Sequence, residues 1–555
     1  MPGGPSDFYT TWIKQSLREN TPYDQWVREM LTAQGYVWST PAAGYFQRDQ
    51  AMPLDNMANT VQVFLGTRLE CAQCHNHPFE AWTRHDFYRM AAYRHHLSTV
   101  NFHQAQWPEM QRLLDQRGAS KDVRTWASRT FALLKRRVYD AERQLQLPED
   151  YADDDAQPGQ VVQPATIFGD ATCGESVCDH QQAFAEWLAS PHNPHFTTVI
   201  TNRMWKKVMG RGLIEPVDDM NQSASASHPE LLQYLETLMV ENQYDLRQFQ
   251  RVLYNTRTYQ RAVCSRDLVE EDRYYFPGPP LKQMTAEQLW DSLMTLMAPD
   301  IDLRQGERFR ALHYLRENLC GYERATPEEL VDASYQAAEV RRLNNETQEK
   351  LFALEKRIAE AEKSGDADIV KQLRAEVSEL EHYSNHEIPI RIDGRTWLYR
   401  TQDEYRQAKR MSLEESLPHV DSYWSAPERN WCVRAAELSS PADSDHPLRT
   451  FGQSDREQID NASSGPTIPL ALTLMNGEYF KMVHHAESML MRNVRSARSP
   501  AETVEVLYLT LLSRFPSEDE AQVMAAAQGH AAEPQEAVED AAWALINTRE
   551  FMFVR

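Results

Sequence analysis

Leu351, Leu354, Ile358 and Ala361 step by three, four and three, and Val370, Leu373, Val377 and Leu380 repeat the rhythm. That is the period of a helix face and not of a strand. Between the two runs stands Lys363-Ser-Gly-Asp-Ala367, a helix stop followed by a restart. The pattern predicts an antiparallel helical hairpin with a coiled-coil seam over residues 336–384, each arm on the order of 30 Å long. It reads either as a spacer with charged faces or as an arm that grips a partner or a second copy of the chain.

Most of the remaining periodic segments are also helical. Ser227-His-Pro-Glu230, Thr285-Ala-Glu-Gln288, Thr326-Pro-Glu-Glu329, Ser499-Pro-Ala-Glu502 and Ser517-Glu-Asp-Glu520 all have the form of a capping box. In such a box a hydroxyl accepts the third helical amide and the acidic or amide side chain reaches back. Strand signals are sparse, and only Ile388–Leu398 alternates like a short hairpin. The predicted fold is mainly α: two multi-helical units, a protruding antiparallel helical hairpin and little β structure. The predicted divisions are 1–100, a first helical unit; 101–180, a connecting helix and acidic linker; 181–335, the helical core of a second unit; 336–384, the hairpin; and 385–555, the rest of the second unit. The last helix, Asp540 to Phe553, offers Trp543, Ile546, Phe551 and Phe553 for docking.

Apolar residues make up 41% of the 555, enough for a globular chain with a sizeable core. The net charge of −23 argues against nucleic acid and anionic lipid as partners. It suits docking to a basic redox protein, although solubility is the simpler reading. No apolar window is long enough to cross a bilayer. Met1–Arg18 has no basic stretch followed by an apolar one, so it carries no secretory signal.

Cys71-Ala-Gln-Cys-His75 is a CxxCH pentapeptide, the pattern that attaches a c-type haem through two thioethers. His75 is then placed to bind the iron through Nε2, with a nearby carbonyl such as that of Pro78 accepting from Nδ1. For a sixth ligand, His77 is too close in sequence to swing across. His85, Met90, His95 and His96 stand at more workable separations, though for His95 and His96 solvated surface histidines are the commoner case. The alternative is zinc held by Cys71, Cys74 and His75 or His77, with Cys173 or Cys178 as the fourth ligand. If neither group binds, Glu80, Arg84, His85 and Asp86 form a solvated helix face. Thioether attachment is expected outside the cytoplasmic membrane, so a haem requires that a signal was removed or that this chain is a piece of a longer one.

A second constellation is Asn202-Arg203, Trp205, Gly210-Arg-Gly212 and Asp218-Asp219. The glycines suggest a helix end with a tight turn. The adjacent carboxylates point different ways in an extended segment, so they are a poor acid–base pair. The economical reading is a buried network in which Arg203 or Arg211 neutralises Asp218 or Asp219, and the alternative is a pocket for an acidic or sugar-like ligand. No P-loop, GxSxG elbow, HExxH or dinucleotide fingerprint is present.

Pro22-Tyr-Asp-Gln-Trp-Val-Arg-Glu-Met-Leu-Thr-Ala33 and Phe64-Leu-Gly-Thr-Arg-Leu-Glu-Cys-Ala-Gln-Cys-His-Asn-His-Pro-Phe-Glu80 resemble one uncharacterised family of planctomycete secreted proteins. Asn193-Pro-His-Phe196, Asn202-Arg-Met-Trp205, Gly210-Arg-Gly-Leu-Ile-Glu-Pro-Val-Asp-Asp219, Phe451-Gly-Gln-Ser-Asp-Arg-Glu457 and Trp543–Phe551 resemble a second family that follows it. Such proteins often accompany planctomycete cytochrome c domains. The resemblance covers about two-thirds of the chain, in order. It implies an extracytoplasmic or periplasmic protein with a haem or redox role, entered part-way through its first family at about Asp7. Three function classes follow: a secreted c-type haem protein in electron transfer; a non-haem structural or interaction protein with zinc at the CxxCH; and, from the build of the relatives alone, a component of extracellular polysaccharide processing.

Overall fold

A computed structural model describes residues 5–49, 52–99, 106–134, 136–169, 179–220, 225–263, 275–304, 312–383, 389–392, 395–398, 423–424, 429, 431–454, 468–530 and 534–554. The chain is mainly α. Among the described residues the β-strands form two-stranded antiparallel ladders: Leu97–Ser98 with Tyr139–Asp140, Lys282–Gln283 with Phe553–Val554, and Pro389–Ile392 with Arg395–Leu398. The last is the short hairpin anticipated at 388–398.

The first helices are α1 (Pro5–Glu19), α2 (Tyr23–Thr32), α3 (Pro53–Leu65) and α4 (Arg84–Ala92), followed by α5 (Gln106–Gln116) and α6 (Lys121–Leu134). Then come α7 (His180–Leu188), α8 (Phe196–Met209), α9 (Pro229–Glu241), α10 (Leu246–Tyr254) and α11 (Ala286–Met297). The largest core joins α2, α3 and α4 to α7, α8, α9 and α10, so apolar residues from 27–93 and 184–276 interdigitate in one packed interior. Leu145, Leu147 and Tyr151, from the connecting helix and acidic linker expected over 101–180, belong to the same interior. A C-terminal core gathers α11 with residues 424–551 around Trp290 and Trp424, both fully buried. A third, smaller core packs Phe8, Tyr36 and Trp38 against α5, α6 and residues 312–338.

The predicted hairpin is two helices, Pro327–Ser364 and Ala367–Tyr383. Thr326 accepts from the Glu329 amide and Glu329 reaches back, the box read from the sequence. Gly365 ends the first helix at φ 76°. Leu354, Ala361 and Leu373 are buried along the seam, with Ile358, Val370 and Val377 half-buried beside them. The base of the first helix is anchored in the third core through Leu330, Val331 and Ala333. Three other expectations change. α9 has His228 and not Ser227 at its N-cap, without a side-chain cap. The helix expected over 540–553 stops at Ile546 and resumes over Arg549–Met552. Its Ile546 and Phe551 are buried in this chain's own C-terminal core, and Trp543 Nε1 donates to the Met475 carbonyl at 3.1 Å.

Candidate functional site

Between α3 and α4 the chain makes a short 3-10 turn, Glu70–Gln73, flanked by Leu69 and Cys74. In 3-10 geometry residues three apart eclipse one another. Leu69 and Ala72 therefore share one face and Cys71 and Cys74 another. The first pair is completely buried in the largest core. Burying a leucine stabilises by about 1.5–3 kcal/mol, which pins the turn by its back. Both thiols are consequently exposed, and neither is in a disulfide. His75 follows, exposed, with its amide donating to the Cys71 carbonyl at 3.3 Å. Its Nδ1 lies 2.8 Å from the Asn76 carbonyl oxygen. A carbonyl can only accept, so Nδ1 carries the proton and the Nε2 lone pair stays available.

The loop that follows is held by its own polar groups. Asn76 Oδ1 accepts the Arg84 amide at 2.8 Å, and the His77 amide donates to the Trp82 carbonyl at 2.8 Å. Thr83 and Asp86 form a capping box at the start of α4. His77 Nδ1 accepts from the amides of Glu80 at 2.9 Å and Phe79 at 3.3 Å. An amide can only donate, so the neutral His77 ring bears its proton on Nε2 and has no lone pair left for a metal. Phe79 projects from the tip of the loop, 89% exposed.

The cluster Glu80, Arg84, His85 and Asp86 is not a solvated face. Arg84 is buried, donates to Asp150 Oδ1 at 3.0 Å and stacks 5.1 Å from the Tyr151 ring centre. His85 stands 3.6 Å from Asp155, and Asn76 Nδ2 donates to Asp153 at 3.3 Å. The acidic stretch 150–155 thus folds over the CxxCH loop and ties it down.

The second-family motifs approach the same loop from the other side, at the C-terminal end of α3. The last carbonyls of a helix lack intrahelical partners and carry partial negative charge. Here Arg203 donates to the Val63 carbonyl, His195 Nδ1 lies 3.1 Å from the Leu65 carbonyl, and the Met220 amide donates to the Gly66 carbonyl at 2.6 Å. Gly66 is left-handed at φ 58°, and a Cβ there would stand 3.0 Å from Val199 and 3.2 Å from Met220. α8 is closed by Gly210 at φ 84°, the tight turn expected from the sequence. Buried Asn202 accepts the Leu213 amide at 2.7 Å and donates to the Ile214 carbonyl at 2.7 Å, fixing the path that delivers Asp218 and Asp219.

The carboxylate network exists, but its cation is Arg68. Arg68 Nη2 stands 3.2 Å from Asp218 and Nη1 3.6 Å from Asp219, while Gln62 donates to Asp218 at 2.9 Å. Burial alone would push the Asp218 carboxyl up; Gln62 and Arg68 more than reverse it and hold it below the usual carboxylate range. Arg203 instead caps α3 through the Val63 carbonyl.

Between the two walls lies a cleft of about 670 Å³. One wall presents Cys71, His77, Phe79 and Trp82; the other presents Phe168, His195, Thr198, Ile214, Asp219 and Met220. Trp82 meets Phe168 edge-on at 5.4 Å, and Phe168 stacks on His195 at 4.1 Å and 11°. His195 lies within the Asn193-Pro-His-Phe196 motif, and what marks it is a bond to a carbonyl 130 residues away. His95 and His96 lie past the far end of α4, a helix about 14 Å long, and do not border the cleft. Both are half-buried, and burial lowers their imidazole pKa values; His96 packs near His180 instead.

The exposed thiol pair and His75, with a lone pair free at Nε2, supply the donors that a c-type haem needs; of the three only Cys71 borders the cleft, whose lining also carries Arg68, Glu70, Glu80 and Asp219. For zinc, among the described residues no three His, Cys, Asp or Glu side chains converge as a ligand set. Cys173 and Cys178, named as a fourth ligand, lie outside the described residues. No helix among the described residues is long and apolar enough to cross a membrane.

Residues 180–527 match the family model described as "PSD1: Protein of unknown function (DUF1553)". Residues 5–98 match the one described as "PSCyt2: Protein of unknown function (DUF1549)". No curated protein and no solved structure matches the chain.

Proposed function

This chain belongs to the DUF1553 family, with a DUF1549 segment ahead of it, and on that premise we propose that it is an extracytoplasmic c-type haem protein that transfers electrons. The observation that carries the reading is the 3-10 turn, which buries Leu69 and Ala72 and thereby sets Cys71 and Cys74 free on one face, with Cys71 at the edge of the cleft. Cys71 and Cys74 would hold the group by thioether bonds, and His75 would bind the iron through Nε2. When bound, the haem supplies a one-electron couple.

The residues around it have separate tasks. The Asn76 carbonyl keeps the His75 proton on Nδ1 and fixes the ring, which also tunes ligand basicity. Arg84, Asp150 and Asp153 hold the loop in place. Phe79, Trp82 and Phe168 would shield the macrocycle from water, which bears on its potential. The net charge of −23 favours a basic redox partner. The location follows from the chemistry of attachment and from the resemblance to secreted proteins.

The test is expression of this chain in a host with a c-type haem maturation system. Red protein whose haem stays on the polypeptide in a denaturing gel supports the reading. Colourless protein, or haem retained unchanged in the Cys71→Ser/Cys74→Ser double variant, sinks it.

A further inference from the structure

We propose that the cleft binds a neutral oligosaccharide beside the CxxCH loop, with or without a haem attached there. The binding does not depend on the haem reading above.

The lining decides the class of ligand. Residues 67–82 and 194–220 supply it together with Phe168, so both matched segments contribute to one site. It holds three carboxylates, Glu70, Glu80 and Asp219, and one guanidinium, Arg68. That guanidinium is already engaged, 3.2 Å from Asp218 and 3.6 Å from Asp219. Glu70 is exposed and has no hydrogen bond or ion pair among the described residues. An anionic ligand would therefore meet surplus negative charge in a recess, where charge is screened less than in open water.

The cleft also offers hydrogen-bonding groups of fixed sense. His77 Nδ1 accepts the amides of Phe79 and Glu80, so its Nε2 can only donate. His195 Nδ1 donates to the Leu65 carbonyl at 3.1 Å, so its Nε2 can only accept. Burial lowers the His195 pKa, which keeps that acceptor neutral near pH 7. Phe168, stacked on the ring at 4.1 Å, and the Asn193 side chain, which accepts the His195 amide at 3.0 Å, hold it in place. Thr198 spends its proton on the Pro194 carbonyl and Glu236, and its oxygen is left to accept.

Apolar rings stand among these groups. Trp82 and Phe168 meet edge-on at 5.4 Å, and Phe79 is 89% exposed on a loop braced by His77. An organic cation would use the rings and carboxylates, but Arg68 would repel it and the His77 donor would stay unpaired, which costs a hydrogen bond. A sugar uses every group. Each hydroxyl both donates and accepts, and the C–H face of each sugar ring packs on an aromatic side chain. The volume of about 670 Å³ is that of a small-molecule site and exceeds what one sugar ring fills, so a short oligosaccharide matches it.

The test titrates the full chain, haem-free and haem-loaded, by calorimetry and saturation-transfer NMR. The probes are cellotriose, laminaritriose, xylotriose and mannotriose, with trigalacturonate and choline as charged controls. At least one neutral trisaccharide should bind both forms, and more tightly than either control. Phe79→Ala and Glu70→Gln alter exposed side chains and should fold as the wild type does; each should weaken binding about tenfold. Absence of binding by all four neutral probes, or tighter binding of either control, overturns the proposal. So does binding unchanged in either variant, which would put the sugar elsewhere, and so does binding lost on haem attachment. A chain that binds the sugar but attaches no haem overturns the haem reading alone. One that carries haem and binds no sugar overturns this proposal alone.

Discussion

The cleft-bearing core and the C-terminal core hold the same residue types and use them differently. Around the cleft, Cys71, Cys74 and His75 stand exposed on a turn whose back alone is buried. In the C-terminal core Cys432 is fully buried, and its burial pushes the thiol up to about 11. Trp290, also fully buried, donates to the Val433 carbonyl at 2.9 Å and packs among Trp431, His446 and Tyr479. The 3-10 turn directs residues three apart to one face, so Leu69 and Ala72 go inward and Cys71 and Cys74 outward, whereas Cys432 lies in an irregular stretch just before Ala435–Glu437 and is enclosed by the core around Trp290. Residue type alone therefore does not mark a site; the phase of the local backbone against the core does.

The largest expected effect tests whether the two cores are separate. Trp290→Ala should cost the C-terminal core about 3–5 kcal/mol. Hydrogen exchange should rise over 286–297 and stay near wild type over 64–82. Equal loss of protection in both segments would make them one cooperative unit. Next comes thiol chemistry. A thiol raised from 9.0 to about 11 has about 100-fold less thiolate near neutral pH, and burial slows access further. Peptide-level alkylation of the haem-free chain should modify Cys71 and Cys74 well before Cys432, and comparable rates would erase the distinction.

The joint between the cleft walls should be weaker but pH-dependent. Asp218→Asn removes a buried, charge-assisted set of bonds worth about 1.5–3 kcal/mol. The folded-state pKa of Asp218 is depressed. Its contribution is therefore present in full above the ordinary carboxylate value of about 3.9 and is lost as pH falls through the folded value. Wild type and Asp218→Asn should differ in thermal stability at neutral pH and converge in acid. A gap that persists below both values would assign the loss to packing. Gly66→Ala, at φ 58°, should cost about 1–2 kcal/mol for the left-handed backbone. The crowding against Val199 adds to that. Its melting temperature should fall, and an unchanged value would mean that the joint relaxes freely.

How much of this was legible in the sequence depends on how far apart the partners are. The CxxCH, the hairpin seam and the caps at Thr285, Thr326 and Ser517 are contiguous signals, and the structure contains those caps and that seam. Asp218 finds Arg68, 150 residues away, whereas a purely local logic points to Arg203 or Arg211 because they are near in sequence. His195 is informative only through the Leu65 carbonyl, which no spacing rule reaches. The acidic stretch 148–155 reads as a linker by composition, yet Asp150 and Tyr151 meet the one buried arginine of the CxxCH loop. Composition describes what solvent would do with those charges, not what a loop across the fold requires of them.

The smallest effect gives the sharpest comparison, because it applies one change to both regions. Thr83 caps α4 beside the CxxCH loop, and Thr285 caps α11 at the edge of the C-terminal core; each forms a reciprocal box. Replacing either with Ala should cost about 1 kcal/mol, the ordinary worth of an N-cap. Stability alone will not separate them. Position will, since Thr83 closes the loop that carries Cys74, His75 and His77, whereas Thr285 closes only a helix end. Thr83→Ala should therefore raise hydrogen exchange over 74–83 beyond what the shared loss of stability explains, and Thr285→Ala should leave that segment at its wild-type rate. If the two variants match there as well, the loop owes its order to Asn76, Arg84 and the acidic stretch, and the cap is incidental to the site.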